Sequence, residues 1–416
     1  MAHVRPPMGW NSWDCFGGSV TEVEVLANAA FLHDHLVSFG WDTVVVDIQW
    51  YEDTPGAHDY NLRADPVLDP WGRQLPSVRR FPSSAGGAGF APLARSVHDL
   101  GLRFGVHVMR GVPRAAVDRG LPVHGTAWTR DEIADPADIC AWNPDNFGLR
   151  HDHPGAQAWY DAQVSLFAQW GVDFIKLDDV LYPFAQSDIQ AYATAIARSG
   201  RDMQLSLSPG CELSLVHRDV LDRCADMWRI SNDLWDRWTD VAEQFQRLAR
   251  WSAAGVRDGH LDADMLPLGR LAVRAHVGVE RDSELTLEEQ RTMLSLWCIA
   301  RSPLFLGGHL PRSRRDTLDL LTNRDILALL TSTGGREIIR DHDLVVWAAD
   351  HDDDGERSVA VFWLGDQPTR HRIRRPDVGL DAGGVRDLWR GDALSADDLD
   401  LDIPAHGTRV LRGRRR

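Results

Sequence analysis

The stretch Phe174-Ile175-Lys176-Leu177-Asp178-Asp179 is typical of a buried β-strand that ends in charged side chains. Similar short apolar runs recur along the chain, and longer segments with an apolar period of 3.6 residues separate them. The clearest strands are predicted at residues 43–47, 104–109, 173–178 and 204–208. Helices are predicted at residues 20–39, 90–100, 157–170, 188–198 and 241–253. This alternation predicts an α/β fold, a (β/α)8 TIM barrel, because right-handed crossovers between parallel strands close into that architecture.

Three regions depart from the alternating pattern. Residues 51–89 and 111–150 are rich in Pro, Gly and Asp and follow predicted strands. We therefore expect them to form loops at the barrel face where substrates bind. The third region is C-terminal, and its short alternating strands are predicted at residues 344–348, 358–364 and 408–411. The sequence thus predicts two domains, a catalytic barrel over residues 1–322 and an antiparallel β-sandwich over residues 323–416.

The composition limits the classes of function. The chain has 416 residues, 44% of them apolar, and a formal net charge of −16. No segment reaches the roughly 20 apolar residues of a membrane span, and the acidic balance disfavours nucleic acid, whose phosphates need basic groups. Residues 1–7 have no features of a secretory signal, which favours a cytoplasmic protein. Five scattered cysteines argue against a disulfide framework, and a homo-oligomer is compatible with this composition.

The tryptophan content favours a sugar as ligand. The chain has 17 tryptophans against five tyrosines. Indole rings stack well on the apolar faces of sugars, and their N–H groups reach hydroxyls. Most of these rings are expected to fill the core, so the ratio indicates a class of ligand and does not identify a site.

Two strand ends carry the carboxyl groups that glycoside hydrolysis requires. A retaining mechanism needs two carboxyl groups about 5 to 5.5 Å apart, one as nucleophile and one as acid/base. Lys176 and Asp178 alternate onto one face of their strand, and a lysine nearby keeps a buried carboxylate ionised. The segment Met227 to Asp233 places Arg229 and Asp233 four residues apart at another strand-to-loop junction. Asp178 is thus a candidate nucleophile, although a structural ion pair with Lys176 is an equal alternative for that strand alone.

A third acidic residue follows the apolar run Val44-Val45-Val46. Asp47 ends this run, and Ile48, Gln49 and Trp50 come after it. A carboxylate directly after three valines is unlikely to fill a core, since burial of a charge without a partner is costly. We therefore expect Asp47 to bind a sugar hydroxyl.

Several separate stretches together resemble glycoside hydrolase family 27, the family of α-galactosidases and α-N-acetylgalactosaminidases, over nearly the full length of the chain. The stretches are Pro7-Met8-Gly9-Trp10-Asn11-Ser12-Trp13, Arg80-Phe81-Pro82 with Leu93, Val97-His98 and Gly101-Leu102, Asp262-Ala263-Asp264-Met265-Leu266, and Ser302-Pro303-Leu304-Phe305-Leu306. The resemblance implies an exo-acting retaining hydrolase with a barrel and a C-terminal β-sandwich, without a metal ion or an organic cofactor.

The same resemblance implies the roles of individual residues. Asp178 becomes the nucleophile and Asp233 the acid/base. The predicted substrate contacts are Trp13, Asp47, Ile48, Trp50, His107, Arg110, Lys176, Ser208, Arg229 and Asp264. Among them, Lys176 accompanies the nucleophile, Arg229 lies beside the acid/base, and the expected substrate is an oligosaccharide or glycoside.

The sequence departs from the family pattern at two substrate contacts. Typical α-galactosidases use an adjacent pair of aspartates for the C4 and C6 hydroxyls, whereas Asp47 is followed here by Ile48. The family also tends to present a glutamate to the C2 hydroxyl, whereas this chain has Leu207 and Ser208 before a proline. Residues 111–150, with Trp128 and Trp142, and His107 and Arg110 just before them, are predicted to supply the missing contacts.

These departures leave several functions open. The leading prediction is an α-galactosidase-like hydrolase, followed by a β-L-arabinopyranosidase, whose sugar lacks C6, and by an α-glucan-directed enzyme of the isomalto-dextranase type. A non-catalytic sugar-binding barrel is disfavoured because both carboxyl groups are retained. A metal-dependent lyase or isomerase for phosphorylated sugars would need a phosphate loop, and Gly307-Gly308-His309 is the nearest candidate. Asp262 and Asp264 could share a cation, but the resemblance places them at the rim of the site, where they order loops.

Overall fold

The computed structural model describes residues 5–56, 60–62, 64–351, 354–394 and 398–416. Residues 1–4, which carry most of the prediction about a signal sequence, lie outside this part. Within it, eight parallel strands form one continuous sheet. They are β1 (Met8–Asn11), β2 (Thr43–Val46), β3 (Arg103–Met109), β4 (Phe174–Asp178), β5 (Gln204–Leu207), β6 (Met227–Arg229), β7 (His260–Asp262) and β8 (Leu304–Leu306). The (β/α)8 barrel predicted from the sequence is confirmed.

The sheet closes into a ring through the segment that follows β7. Neighbouring strands pair in chain order, and β8 pairs with β1. Leu266, four residues after the end of β7, forms a parallel bridge to Leu306. All strand ends therefore meet at one face, and Asp47, Asp178 and Arg229 lie at or next to this face.

A helix follows each barrel strand. These helices are α1 (Glu22–His35), α2 (Ala91–Asp99), α3 (Pro154–Trp170), α4 (Gln186–Ser199), α5 (Arg218–Cys224), α6 (Trp238–Ala254), α7 (Leu287–Ala300) and α8 (Arg315–Leu321). Local sequence sets several of their ends. A capping box of Thr21 and Glu24 precedes α1, and α3 starts with a proline and ends at Gly171, whose φ of 83° only glycine adopts easily.

The two long interruptions are more structured than the sequence suggested. Residues 111–150, predicted as a loop, contain a three-stranded antiparallel sheet of Val112–Pro113, Ala134–Ile139 and Asn146–Leu149. Two short helices, Arg114–Asp118 and Arg130–Ile133, lie between the first two of these strands. The segment 51–89 lacks such a sheet in its described residues, but a short 3-10 helical stretch, Pro82–Gly87, ends it. Both segments lie over the barrel face that carries the strand ends.

The C-terminal region folds into antiparallel sheets. Its strands are β9 (Thr333–Asp341), β10 (Leu344–His351), β11 (Glu356–Trp363), β12 (Thr369–Arg374), β13 (Leu380–Asp387), β14 (Ala393–Leu394), β15 (Asp398–Ile403) and β16 (Thr408–Arg415). Six of them form one sheet in the order β9-β10-β11-β16-β13-β14, and β12 pairs with β15. The predicted C-terminal antiparallel β-sandwich is confirmed. The predicted domain boundary at 322/323 lies just after α8 and stays a prediction.

The barrel and the C-terminal sheet share one apolar core. Buried side chains of the sheet, among them Trp347 and Phe362, belong to the same cluster as α6 and α7. The rings of Phe245 and Phe362 lie edge to face at 5.0 Å. His406 adds a polar contact, because its Nδ1 lies 2.6 Å from Glu289 Oε1 of α7. No helix among the described residues is long and apolar enough to cross a membrane, and all five cysteines are free.

Candidate active site

The carboxylate of Asp178 is held at the end of β4 by two hydrogen bonds. Oδ2 lies 2.8 Å from His107 Nε2 on the neighbouring β3, and Oδ1 accepts from the backbone N–H of Asp179 at 2.8 Å. Burial alone would raise the pKa of Asp178, but His107 and the charge of Lys176 lower it to about 2. The carboxylate is therefore ionised at neutral pH and fixed in orientation, as a nucleophile requires.

Lys176 pairs directly with Asp47 across the barrel mouth. Its Nζ donates to Asp47 Oδ2 at 2.8 Å, and Asn11 Nδ2 donates to the same oxygen at 2.7 Å. Burial opposes the charges, but the Lys176 ammonium and His107 lower the pKa of Asp47, and the carboxylate of Asp47 raises the pKa of Lys176. The end of β2 thus carries an ionised carboxylate whose orientation Lys176 and Asn11 fix.

Arg229 gathers three carboxylates at the end of β6. Its Nη1 donates to Asp233 Oδ1 at 3.0 Å, and its Nη2 lies 2.9 Å from Asp264 Oδ1. The third carboxylate is that of Asp262, 3.6 Å from Nε. The Arg229 side chain is only 3% exposed, whereas that of Asp233 is 54% exposed. This arrangement anchors Asp233 through one oxygen and leaves the rest of its carboxyl group open to solvent and ligand.

Asp264 orders the loop that carries Asp233. Its Oδ2 accepts from the backbone N–H of Leu234 at 2.6 Å, and its Oδ1 accepts from that of Met265 at 2.6 Å. Burial raises the pKa of Asp264 to about 7, with Asp233 and Asp262 adding to the effect and Arg229 opposing it. Asp264 therefore positions the candidate acid/base, which agrees with the sequence interpretation that it orders a loop.

Aromatic rings from five segments form a wall near these carboxylates. Trp13 stacks on Tyr60, with ring centroids 5.0 Å apart and an angle of 25° between the planes. Trp142 from the 111–150 segment lies 5.5 Å from Tyr60. His276 lies 5.3 Å from Trp13 and 5.7 Å from Trp235, which follows Asp233 by two residues. The predicted contribution of Trp142 stays a prediction, whereas Trp128 packs on His153 outside this group.

Ile48 and Ser208 occupy the positions of the two departures from the family pattern. Ile48 is 1% exposed, and its backbone N–H donates to Asp47 Oδ1 at 2.9 Å, so a buried apolar residue directly follows the ionised carboxylate. Ser208 follows β5, and its Oγ is buried without a hydrogen-bond partner among the described residues. Leu207 is fully buried at the end of β5. None of the side chains of Ile48, Leu207 and Ser208 is an acidic acceptor for a sugar hydroxyl.

Two of the predicted substrate contacts are engaged elsewhere. The indole of Trp50 is fully buried, donates from Nε1 to the carbonyl of His107 at 2.8 Å and packs edge-on against core aromatic rings. Arg110 makes a bidentate ion pair with Asp138 at 2.6 and 2.7 Å, and its Nε donates to the carbonyl of Asp179. The structure therefore places Trp50 in the core and Arg110 against the residue that follows the candidate nucleophile, and their predicted contacts to sugar stay predictions.

His107 is likewise engaged within the protein. It is fully buried in β3 and hydrogen-bonds to the nucleophile candidate, and its predicted contact to a sugar hydroxyl stays a prediction. The amides of the suspected phosphate loop are occupied, because Gly307 N–H donates to Leu266 and His309 N–H donates to Arg270. The described residues contain no group of three or more His, Cys, Asp or Glu side chains that could hold a metal ion.

Sequence reasoning missed several residues of this site. Tyr60 and His276 lie in segments without regular structure, and no pattern in those segments distinguishes them from other loop aromatics. Asn11 lies inside the quoted Pro7 to Trp13 stretch, where an amide within an apolar strand was a usable signal. Asp145, which accepts from Gln49 and from Tyr51 Oη at 2.5 Å, had no such signal because its partners are about a hundred residues away.

Comparisons with known proteins agree with this geometry. A family model described as α-galactosidase A matches residues 147–331, and one described as the α-galactosidase C-terminal β-sandwich domain matches residues 341–412. A crystal structure of a family 27 β-L-arabinopyranosidase from Geobacillus stearothermophilus, in complex with arabinose, is 41% identical with a TM-score of 0.96, covering 99% of this chain and 97% of that chain. A putative α-N-acetylgalactosaminidase from Bacillus halodurans is 39% identical with a TM-score of 0.89, covering 99% and 97%. The α-galactosidase of Cyamopsis tetragonoloba is 25% identical over 97% of this chain and 85% of its own length.

Proposed function

Because the chain belongs to glycoside hydrolase family 27 and is an α-galactosidase-like hydrolase of O-glycosyl bonds, we propose that it is a retaining exo-enzyme that prefers terminal β-L-arabinopyranosides to α-D-galactosides. The carbohydrate class of the substrate follows from the family. The preferred sugar, the catalytic assignments and the residue roles below are the proposal. A homo-oligomeric state stays a prediction.

The observation that carries the choice of sugar is the buried Ile48 beside Asp47. In a galactose-configured pyranose the C4 hydroxyl and the C6 hydroxymethyl group are carried by the adjacent ring carbons C4 and C5, so a residue next to the C4 contact is in position to face C6. A C6 hydroxyl left without a partner against isoleucine costs about 1–3 kcal/mol, which is roughly a five- to 150-fold loss in affinity. β-L-Arabinopyranose has the same ring configuration and lacks C6. The 41% identical structure named as a β-L-arabinopyranosidase, bound to arabinose, supports the same choice.

In the first chemical step, Asp178 attacks the anomeric carbon. The bond from that carbon to the leaving oxygen breaks as Asp233 transfers its proton to that oxygen, and a covalent glycosyl ester forms on Asp178. The hydrogen bonds from His107 and the Asp179 amide support this role, since they hold the carboxylate ionised and aligned. The open carboxyl group of Asp233 lies where a leaving group can approach it.

In the second step, Asp233 acts as a base. It removes a proton from water as the water oxygen attacks the anomeric carbon, and the ester bond to Asp178 breaks. Two inversions return the sugar with its original configuration. Arg229 holds Asp233 through both steps, while Asp47 and Lys176 bind hydroxyls of the sugar that do not react.

The test compares p-nitrophenyl β-L-arabinopyranoside and p-nitrophenyl α-D-galactopyranoside with the wild-type protein, with Asp178→Asn as the blank. We expect a higher kcat/KM for the arabinopyranoside, and no activity in the blank beyond the uncatalysed rate. Ile48→Asp should move the preference toward the galactoside. A wild-type preference for the galactoside, or no effect of Ile48→Asp on the ratio, would contradict the proposal.

The second candidate is α-D-galactoside hydrolysis itself. It is favoured by the curated relatives, which are named α-galactosidases and match almost the whole chain at about 25% identity. The ionised Asp47 serves the C4 hydroxyl of both sugars equally. The two candidates therefore differ only at C6, and the same pair of substrates separates them.

A further inference from the structure

Tyr60 lies in the middle of the aromatic wall. Its ring stacks on Trp13 at 5.0 Å and lies 5.5 Å from Trp142 and 5.9 Å from His276. These three partners come from the end of β1, from the 111–150 segment and from the loop after β7. Because rings from three directions confine it, the Tyr60 side chain is a fixed part of the wall.

The Tyr60 phenol is largely buried, and its electrostatic neighbours include three candidate site carboxylates. Burial raises its pKa most, and the charges of Asp178, Asp233 and Asp47 raise it further. These carboxylates are the candidate nucleophile, the candidate acid/base and the candidate C4 contact. Together with the ring contact to Trp13, this places Tyr60 in the same region of the barrel mouth as these carboxylates.

A pair of hydrogen bonds ties the residue after Tyr60 to the residue after Ile48. The side-chain amide of Gln49 donates to the carbonyl of Asn61 at 3.0 Å and accepts from the N–H of Asn61 at 3.0 Å. The same amide donates to Asp145 Oδ2 at 3.0 Å. Gln49 directly follows Ile48, and Asn61 directly follows Tyr60. The Gln49 side chain therefore links the segment that contains Ile48 to the segment that contains Tyr60, and these hydrogen bonds restrain the backbone next to Tyr60.

We propose that Tyr60 is a second specificity-determining residue, which fills the space of a C6 hydroxymethyl group and, together with Ile48, selects sugars without C6. Ile48 removes the acceptor that a C6 hydroxyl needs. Tyr60 removes the volume that the group occupies. This inference rests on the proposed preference for β-L-arabinopyranosides. It implies that Ile48→Asp alone shifts the preference toward the galactoside less than Ile48→Asp/Tyr60→Ala does, because Tyr60 still narrows the space that the new carboxylate faces.

The test measures the ratio of kcat/KM for p-nitrophenyl β-L-arabinopyranoside to that for p-nitrophenyl α-D-galactopyranoside. The variants are Tyr60→Ala, Tyr60→Leu and Ile48→Asp/Tyr60→Ala. Trp71→Ala is the matched control, since Trp71 lies in the same 51–89 segment but packs on His124. We expect Tyr60→Ala to lower the ratio by about ten- to 200-fold, the range for one carbon group in an apolar pocket. The double variant should lower it further, and Trp71→Ala should leave it unchanged.

The outcomes separate the inference from the function on which it rests. A wild-type enzyme that prefers the galactoside, or hydrolyses neither substrate, would overturn both. A wild-type preference for the arabinopyranoside together with an unchanged ratio in Tyr60→Ala would overturn the inference alone, even if both kcat/KM values fell equally. Tyr60→Leu retains apolar packing, so it supplies the same comparison if thermal unfolding shows that Tyr60→Ala is not folded.

Discussion

Replacement of His107 by phenylalanine tests how the nucleophile candidate is held. His107 is fully buried, and its Nε2 lies 2.8 Å from Asp178 Oδ2. Phenylalanine keeps a ring of similar volume and removes the hydrogen-bond donor. The substitution therefore leaves Asp178 with the amide of Asp179 and the more distant charge of Lys176 as its stabilising partners.

The size of the effect follows from the energy of a hydrogen bond to a charged group. Such a bond contributes about 1.5–3 kcal/mol, and about 1.4 kcal/mol corresponds to one unit of pKa. The pKa of Asp178, about 2 in the wild type, should rise by roughly one to two units in His107→Phe. Because only the ionised carboxylate attacks, the variant should lose kcat/KM as the pH falls through about 3 to 4, where the wild type stays active until it unfolds. At higher pH we expect a loss of roughly tenfold or more, since the carboxylate is freer to rotate.

The assay is kcat/KM for p-nitrophenyl β-L-arabinopyranoside between pH 2.5 and 7, with alkaline quenching to read the released phenolate. His107→Gln is the matched control, because its amide retains a donor and its acid limb should stay near that of the wild type. Circular dichroism at each pH separates loss of activity from loss of fold. If folded His107→Phe had the same acid limb and the same kcat/KM as the wild type, His107 would not be holding the nucleophile.

Three further predictions concern stability and one predicted substrate contact. Trp50→Phe removes the N–H donated to the carbonyl of His107, so urea unfolding should show a loss of about 1–3 kcal/mol while KM for either sugar stays unchanged. A selective rise in KM would instead support Trp50 as a substrate contact. Asp264 has its pKa raised by burial to about 7 from an ordinary 3.8, so it contributes stability that is lost as the pH rises from about 4 to 7. Asp264→Asn should flatten this decline in unfolding free energy, and an unchanged slope would argue against the raised pKa. His406→Ala removes the contact to Glu289 and should lower the melting temperature without changing kcat, whereas unaltered melting would show that this contact is dispensable.

The barrel could be predicted from the sequence because its strands and helices have distinct apolar periods. The predicted strand at 104–109 is observed as Arg103–Met109, and the predicted helix at 157–170 as Pro154–Trp170. Their ends moved by a few residues because capping groups and prolines decide where a helix starts. The sheet within 111–150 could not be predicted, since its strand Ala134–Ile139 contains Pro136 and two aspartates and is defined by its partner Asn146–Leu149.

The candidate site was predictable where its groups share one strand, and not where they meet across strands. The sequence placed Lys176 beside Asp178 and inferred that the lysine keeps the aspartate ionised. In the structure, the Lys176 ammonium donates its hydrogen bond to Asp47, and the hydrogen-bond partner of Asp178 is His107 from β3. Such pairs depend on the register between neighbouring strands, and a single sequence does not contain that register. Tyr60 was missed for a related reason: the rings that it contacts come from distant parts of the chain.

The position of β16 has a consequence for how this protein is made. This strand, Thr408–Arg415, is the last of its sheet to leave the ribosome, yet it lies between β11 and β13 in the middle of that sheet. The earlier strands can pair only in part while the chain is being translated, and the sheet face that covers α7 stays incomplete until residue 415 is free of the exit tunnel. A premature stop codon or a proteolytic cut near residue 407 would thus remove a central strand rather than an edge. Until β16 joins the sheet, the apolar side chains that it covers stay exposed, and in this interval a chaperone would be most useful to the chain.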